Sequence, residues 1–471
     1  MSSITVLYGQ MNSGEKYQID MCHGPLFAKI VKFSIPLMVA NITQFLFNAV
    51  DLVVIGRYAS YDAMAAVGSC GPLISMILSV FFGLSVGANV MVARHIGAND
   101  RTRIHRSVHT AMSIALYGGI VLAVIGGAVS KPVLVLMSPP RDVLCKATLY
   151  MRLYCACIPF ILIYNFGSSI LRATGDTRRP LAYMLAAGIM KTLLNLFFVR
   201  TLHWDVGGVA AATLVANFVS ASMVFRALTD MRDGCRLYWR KLRIYWTSLI
   251  DNLKIGIPAG VQGSLFGLSN VIIQSTVNSF GAQAMAGTAA AVSLESIVFV
   301  AFISYYYSVI SFVGQNHGAK KYKRIVKCVF HCLLLAVLTS SLIGMTICCF
   351  DTELLSIYNP DPEVIRWGVI RLKYLAMLYF LCAIMEVLNG ALRGLGHSLI
   401  PMIVTMLGAC VFRVFWVLCI FPLHPTMDNL LISYPVSWIL VSAVNTIILY
   451  RICRRMFRDA AHRRKMVADC R

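Results

Sequence analysis

The sequence predicts an all-α integral membrane protein with twelve transmembrane helices in two six-helix lobes related by a parallel repeat. Three observations predict it. Apolar segments of bilayer-crossing length recur along the chain, basic residues gather in alternate loops, and the two halves keep one register. Of 471 residues, 58% are hydrophobic and 13% charged, against about 25% charged in soluble domains. A soluble globule of this composition would expose a greasy surface, which excludes an ordinary soluble enzyme. Disorder is excluded too, because it requires low hydrophobicity. The net charge of +22 would suit nucleic acid only on a water-exposed fold, so no nucleic-acid partner is expected.

A bilayer crossing needs about 20 mostly apolar residues. Such spans lie near 30–55, 63–92, 107–129, 147–171, 181–201, 207–229, 251–279, 285–313, 325–349, 367–392, 399–421 and 430–450. Some exceed the bilayer thickness, which implies tilt or projecting ends. Runs this long and continuous are helices rather than barrel strands. The first 25 residues include Glu15, Lys16 and Asp20 and lack an apolar stretch, so span 1 is expected to act as an uncleaved insertion signal. The fifteen Cys form no C-x-x-C and sit mostly inside apolar runs, as small packing residues.

Orientation follows from Lys and Arg. The loop after span 2 carries Arg94, Arg101, Arg103 and Arg106, and the loop after span 4 carries Arg172, Arg178 and Arg179. The link after span 6 runs from Arg226 through Arg240, Lys241 and Arg243 to Lys254. The loop after span 8 carries Lys320, Lys321, Lys323, Arg324 and Lys327, and the tail is equally basic. The opposite loops are poor in base, and the one after span 9 holds Asp351, Glu353, Asp361 and Glu363. Both termini are therefore expected on the cytoplasmic side of the plasma (inner) membrane.

An internal repeat divides the chain. Pro36 and Pro258 each follow Ile, and Asn48 aligns with Asn270 at an offset of 222. One residue then drops out, and the offset becomes 221. Val92-Ala-Arg-His-Ile-Gly97-Ala98 matches Val313-Gly-Gln-Asn-His-Gly318-Ala319, and Leu171-Arg172-Ala-Thr-Gly175 matches Leu392-Arg393-Gly-Leu-Gly396. Six spans per half give both halves the same topology, the parallel repeat of alternating-access transporters. The expected organisation is a cytoplasmic segment 1–26, an N-terminal lobe 27–229, a basic linker 230–250, a C-terminal lobe 251–451 and a basic tail 452–471.

The order of motifs resembles a known family. Ile35-Pro36 is followed by Asp51 late in span 1, then Ala65-Ala66-Val67-Gly68, Arg94-His-Ile-Gly97-Ala98, Leu171-Arg172-Ala-Thr-Gly175-Asp176-Thr-Arg-Arg-Pro180 and Val206-Gly-Gly-Val-Ala-Ala-Ala-Thr213. Over nearly the whole chain this resembles the multidrug and toxic compound extrusion (MATE) family. The resemblance implies two lobes around a V-shaped cavity and a cation-coupled antiporter. Members export cationic or amphipathic small molecules against inward H⁺ or Na⁺. No cofactor is implied beyond that coupling ion, and the protein is expected to act as a monomer in the lipid bilayer.

Three acids fall well inside apolar segments: Asp51, Glu295 and Glu386. Each costs about 2.5–3.5 kcal/mol on insertion scales and so calls for a reason. Asn41, Gln44, Asn48 and Asp51 share one stripe of span 1, which must face protein or a wet cavity. A carboxylate held away from water takes up a proton more readily, or binds Na⁺ with neighbouring oxygens. The family's span-1 carboxylate falls at Asp51, and Asn195 is its neighbour by resemblance. Many members carry an Asp four residues later, where this chain has Val199. Lys191 lies one turn before Asn195, so it can pair with Asp51 or supply part of the bound cation's charge; packing elsewhere is the alternative.

In the second half, span 7 carries a neutral stripe of Asn270, Gln274 and Asn278 in place of an acid. Glu386, Asn389 and Arg393 share a face, open either to a structural network or to a cationic substrate. Glu295 has Phe299 and Phe302 on its face, a pairing that suits an organic cation but also ordinary packing. His105 and His109 lack a third ligand, so no metal site is expected apart from Na⁺ at Asp51. No Walker motif is present, so transport must draw on an ion gradient. One rival is a lipid-linked oligosaccharide flippase, which would want a cationic cavity; Lys191 and Arg200 keep it open. A membrane-embedded transferase would need a clustered catalytic motif, and none is evident.

Overall fold

The computed structural model describes residues 17–58, 61–136, 141–202, 204–231 and 233–469. The first sixteen residues of the expected segment 1–26 and the last two of the tail thus lie outside the described residues. The helices are α1 Leu26–Tyr58, α2 Tyr61–Gly97, α3 Arg101–Ser113, α4 Gly119–Leu136, α5 Arg141–Ala173, α6 Arg178–Leu196, α7 Asp205–Thr229 and α8 Trp246–Asn278. They continue with α9 Ala282–Gly318, α10 Tyr322–Cys349, α11 Asp351–Ser356, α12 Pro362–Leu375, α13 Tyr379–Gly394, α14 Leu399–Thr405, α15 Phe412–Phe415 and α16 Met427–Asp469. Among the described residues, eleven helical stretches are long and apolar enough to cross a membrane, and α12 with α13 makes a twelfth.

Helix ends follow local chemistry. The Asp100 carboxylate accepts from the Arg103 amide at 3.0 Å and starts α3. Asp361 does the same for α12, with Pro362 in its first turn. The repeat is visible in backbone detail. Gly175 and Gly396 end α5 and α13 at φ +95° and +86°. The next amides reach back five residues, from Asp176 to the Leu171 carbonyl at 3.0 Å and from His397 to the Leu392 carbonyl at 2.9 Å. Asn99 and Lys320 repeat the device after α2 and α9, at φ 54° and 56°.

Two segments depart from the simple span pattern. The sequence predicts one continuous span over 367–392, but α12 and α13 bend by 48° at residues 376–378. Here α10 presses close: a Cβ on Gly344 would lie 2.2 Å from the Ala376 carbonyl oxygen. The span predicted at 430–450 and the described part of the tail behind it, to Asp469, form one helix of 43 residues, α16. Wide π turns also interrupt the helical register, at Ile114–Gly118, Phe197–Thr201, Met406–Val411 and Trp416–Ile420.

The chain forms two compact units. One comprises Ile35–Gly260 with the described residues up to Asp20, and the other Met21–Ser34 with Val261–Arg471. Residues 27–34 of the expected N-terminal lobe therefore cluster with the second unit, and residues 251–260 with the first. Local packing explains both assignments. Phe33 meets Phe312 edge-on at 5.5 Å, and the Ser34 and Ser308 hydroxyls lie 2.7 Å apart. In the first unit, Gly256 and Gly260 bring α8 against α2, where Cβ atoms would lie 2.5 Å from the Cα atoms of Leu84 and Val80.

Candidate functional site

The first unit encloses a cavity of about 510 Å³. Its wall includes Gln44, Asn48 and Asp51 of α1, Tyr150 and Tyr154 of α5, and Lys191 of α6. Asp51 is the focus. One carboxylate oxygen forms an ion pair with the Lys191 ammonium. The other accepts from the Asn195 amide at 2.6 Å. The i, i+4 spacing of Lys191 and Asn195 aims both side chains at the same carboxylate. Gly188, one turn earlier, admits the Phe47 ring where a Cβ would lie 1.9 Å from it, and so lets α1 approach α6.

The Asn195 side chain is fully buried, and its Oδ1 has no hydrogen-bond partner among the described residues. Asp51 and Lys191 remain in part open to the cavity, with side-chain exposures of 13% and 20%. Among the described residues they are the only charged ones on the cavity wall, so its formal charge is zero. Val199 is buried in the π turn after α6. Arg200 stands over the Tyr58 ring at 5.6 Å and does not line the cavity.

The second unit holds the other two acids. Glu295 of α9 is buried and clamped by Arg371 of α12, with Nε and Nη2 donating at 2.8 and 3.0 Å. The Tyr379 hydroxyl donates to the same carboxylate at 3.4 Å. An acid so paired offers no free charge to an organic cation. Glu386 accepts from Asn389 at 3.4 Å, and Asn389 in turn accepts from Asn445 at 2.8 Å. Arg393 turns elsewhere, donating to Gln262 at 2.6 Å and to the Tyr306 hydroxyl. Asn270, Gln274 and Asn278 lie on an exposed stripe of α8, where Gln274 donates to Asn278 at 3.0 Å. His109 accepts from the Tyr238 amide through Nε2 at 3.1 Å.

Reading acids alone misses two residues. Arg371 and Arg413 are 6% and 2% exposed, and both lie within apolar segments. Arg413 donates to Ser437 at 2.9 Å and stacks on Tyr434, 4.2 Å from the ring centroid. The rule that singles out intramembrane acids applies equally to intramembrane bases.

A repeated bundle of membrane-spanning helices with an ion-paired carboxylate on a cavity wall is the architecture of a transporter. The MatE family model matches residues 36–198 and 258–417, and the chain belongs to that family. It is 25% identical over 393 residues to the probable multidrug resistance protein NorM of Thermotoga maritima, covering 82% of this chain and 83% of the relative. It is 24% identical over 456 residues to the FAD transporter of Shewanella oneidensis, covering 92% and 97%. The solved structure of a multidrug resistance MATE family transporter in its outward-facing conformation is similar in fold. It matches with a TM-score of 0.87 at 20% identity, covering 95% of this chain and all of that one.

Proposed function

We propose that this multi-pass membrane protein is a proton-coupled antiporter of the plasma membrane, with both termini cytoplasmic, that exports amphipathic or cationic small molecules by alternating access. The observation that carries the reading is the Asp51–Lys191–Asn195 constellation on the cavity wall. With the cavity unloaded, Lys191 neutralises Asp51. A cationic group of the substrate competes with the ammonium for the carboxylate, while the aromatic wall takes its apolar part. A proton arriving at Asp51 removes the negative charge and frees the ammonium, so the cavity becomes cationic and releases such a substrate. Proton and substrate therefore oppose each other, and by linkage each weakens the other's binding equally. The proton is favoured over Na⁺ because the ammonium already occupies the oxygen that Na⁺ would need. The multidrug names of relatives such as the Thermotoga protein support the cargo class.

A second reading is favoured by Lys191 itself and by the FAD transporter among the relatives. An anionic cargo would pair with the ammonium freed from Asp51. The coupling then reverses sign: protonation strengthens binding. The flippase reading is weaker, since the cavity wall has no net positive charge.

The test is efflux from proteoliposomes with pH and Na⁺ gradients imposed separately, beside substrate affinity at two pH values. The proposal expects efflux to follow the pH gradient, affinity to fall as pH falls, and Asp51→Asn to lose gradient-driven efflux. Full efflux by Asp51→Asn would refute the role of Asp51. Affinity that rises as pH falls would replace the first reading with the second.

A further inference from the structure

The first unit carries a second, separate cavity. It has a volume of about 300 Å³ and is almost wholly apolar, lined by Phe160, Phe218, Ala221 and Phe225 with Trp239 and Leu242 of the linker as its roof. None of the residues around Asp51 belongs to it. Its size is at the lower end for small-ligand sites, roughly 300–1,000 Å³.

The linker is fastened above this slot at two points. The Tyr238 amide donates to His109 and the Tyr245 amide to the Thr110 hydroxyl, each at 3.1 Å, and both acceptors lie on α3. Between them, the short turn Trp239–Lys241 hangs over the opening, with Trp239 edge-on to Phe225 at 5.4 Å. The linker exposes its largest apolar side chains: Trp239 is 61% and Trp246 71% exposed. Such exposed rings are misplaced in water but settle at the membrane interface, among the headgroups. A slot roofed by such rings suits a ligand held at headgroup depth.

The linker's own charge between Asp233 and Asp251 is of one sign. Arg236, Arg240, Lys241 and Arg243 follow in eight residues, and no acid occurs from 234 to 250. Arg236 and Lys241 each stack on the Tyr238 ring at 5.2 Å. Arg240 and Arg243, exposed, flank Trp239 and Leu242 directly in the chain.

We propose that the slot and the linker above it bind one anionic phospholipid, its acyl chain between α5 and α7 and its phosphate on Arg240 and Arg243. The charge decides the lipid class. An acyl chain leaving the bilayer for an apolar slot gains no hydrophobic free energy, since it leaves an equally apolar medium. Selectivity must then come from the headgroup, at about fivefold in affinity per basic residue near the membrane surface.

The experiment uses the full-length protein, purified and titrated with phosphatidylglycerol or phosphatidylcholine, with retained lipid counted by native mass spectrometry. The wild type is expected to hold one phosphatidylglycerol in preference to phosphatidylcholine. Arg240→Gln/Arg243→Gln, at exposed positions, should weaken that preference by roughly 25-fold with the melting temperature unchanged. Ala221→Leu, which narrows the slot between α5 and α7, should weaken lipid retention. Equal retention of the two lipids, a preference that survives the double variant, or full displacement by soluble glycerol phosphate would each overturn the proposal. Should Ala221→Leu fail to fold, the Arg240/Arg243 comparison decides alone.

Discussion

Replacing Arg371 with Met tests whether Glu295 serves the fold or the cargo. The perturbation removes the donors at 2.8 and 3.0 Å and leaves the Tyr379 hydroxyl, at 3.4 Å, as the carboxylate's one remaining described partner. The paired side chains are only 7% and 3% exposed, so solvent screens the charge little. Stranding one member of such a pair costs about 3–5 kcal/mol. Losing the guanidinium stacked over Tyr434 at 5.8 Å adds about 0.5–1 kcal/mol. Glu295→Leu alone should cost a similar amount, because it strands the guanidinium. Replacing both, Glu295→Leu with Arg371→Met, leaves apolar groups facing each other and should be far milder than the sum, with a coupling energy of about 3 kcal/mol. The assay is a double-mutant cycle on reversible unfolding in mixed micelles, followed by circular dichroism, with efflux measured on the same proteins. A coupling below about 1 kcal/mol would refute the energetic reasoning. A stably folded double variant with no efflux would place Glu295 in the transport path after all.

Further outcomes can be checked alongside. Lys191→Met leaves Asp51 as the only charge on the described cavity wall, so affinity for an organic cation should rise by roughly tenfold while neutral cargo changes little, read by equilibrium binding. Asp176 is fully buried, accepts from the Arg178 and Arg179 amides at 3.1 Å each, and pairs with the Arg179 side chain. Asp176→Ala should destabilise the first unit by about 2–3 kcal/mol, visible as a lower midpoint in the same unfolding assay. Gly256→Ala places a Cβ 2.5 Å from the Leu84 Cα, where backbone must move. A loss of about 1–3 kcal/mol follows, whereas alanine at Gly267, which has open space around it, should cost little.

Much of the fold was legible because a bilayer imposes simple rules. A span must be long and apolar, and unpaired charge inside it is rare, so span count, repeat and intramembrane acids stand out in the bare sequence. The polar stripe of α1 pointed to Asp51 and the family resemblance to Asn195, and Lys191 followed from its i, i+4 spacing to Asn195, since helical geometry fixes which side chains share a face. Three features were not legible. The break between α12 and α13 has no proline to announce it, and the helix that lies against it, at Gly344, is remote in the chain. The clamp on Glu295 joins residues 76 apart in the chain, and no local spacing predicts that. Residues 27–34 and 251–260 cluster away from the bodies of their own sequence repeats, because packing follows small residues and aromatic edges rather than repeat boundaries.

The tethered ammonium beside Asp51 has a consequence for transport fidelity. A carrier with a bare buried carboxylate is held still by its own unpaired charge until an ion arrives, and that resistance enforces strict exchange. Here Lys191 stands in for that ion, so in the proposed cycle the vacant carrier would already be electrically quiet. In the proposed antiport cycle, return without cargo or proton would not be forbidden by charge, and the tightness of exchange would rest on how completely an incoming ligand dislodges one lysine side chain.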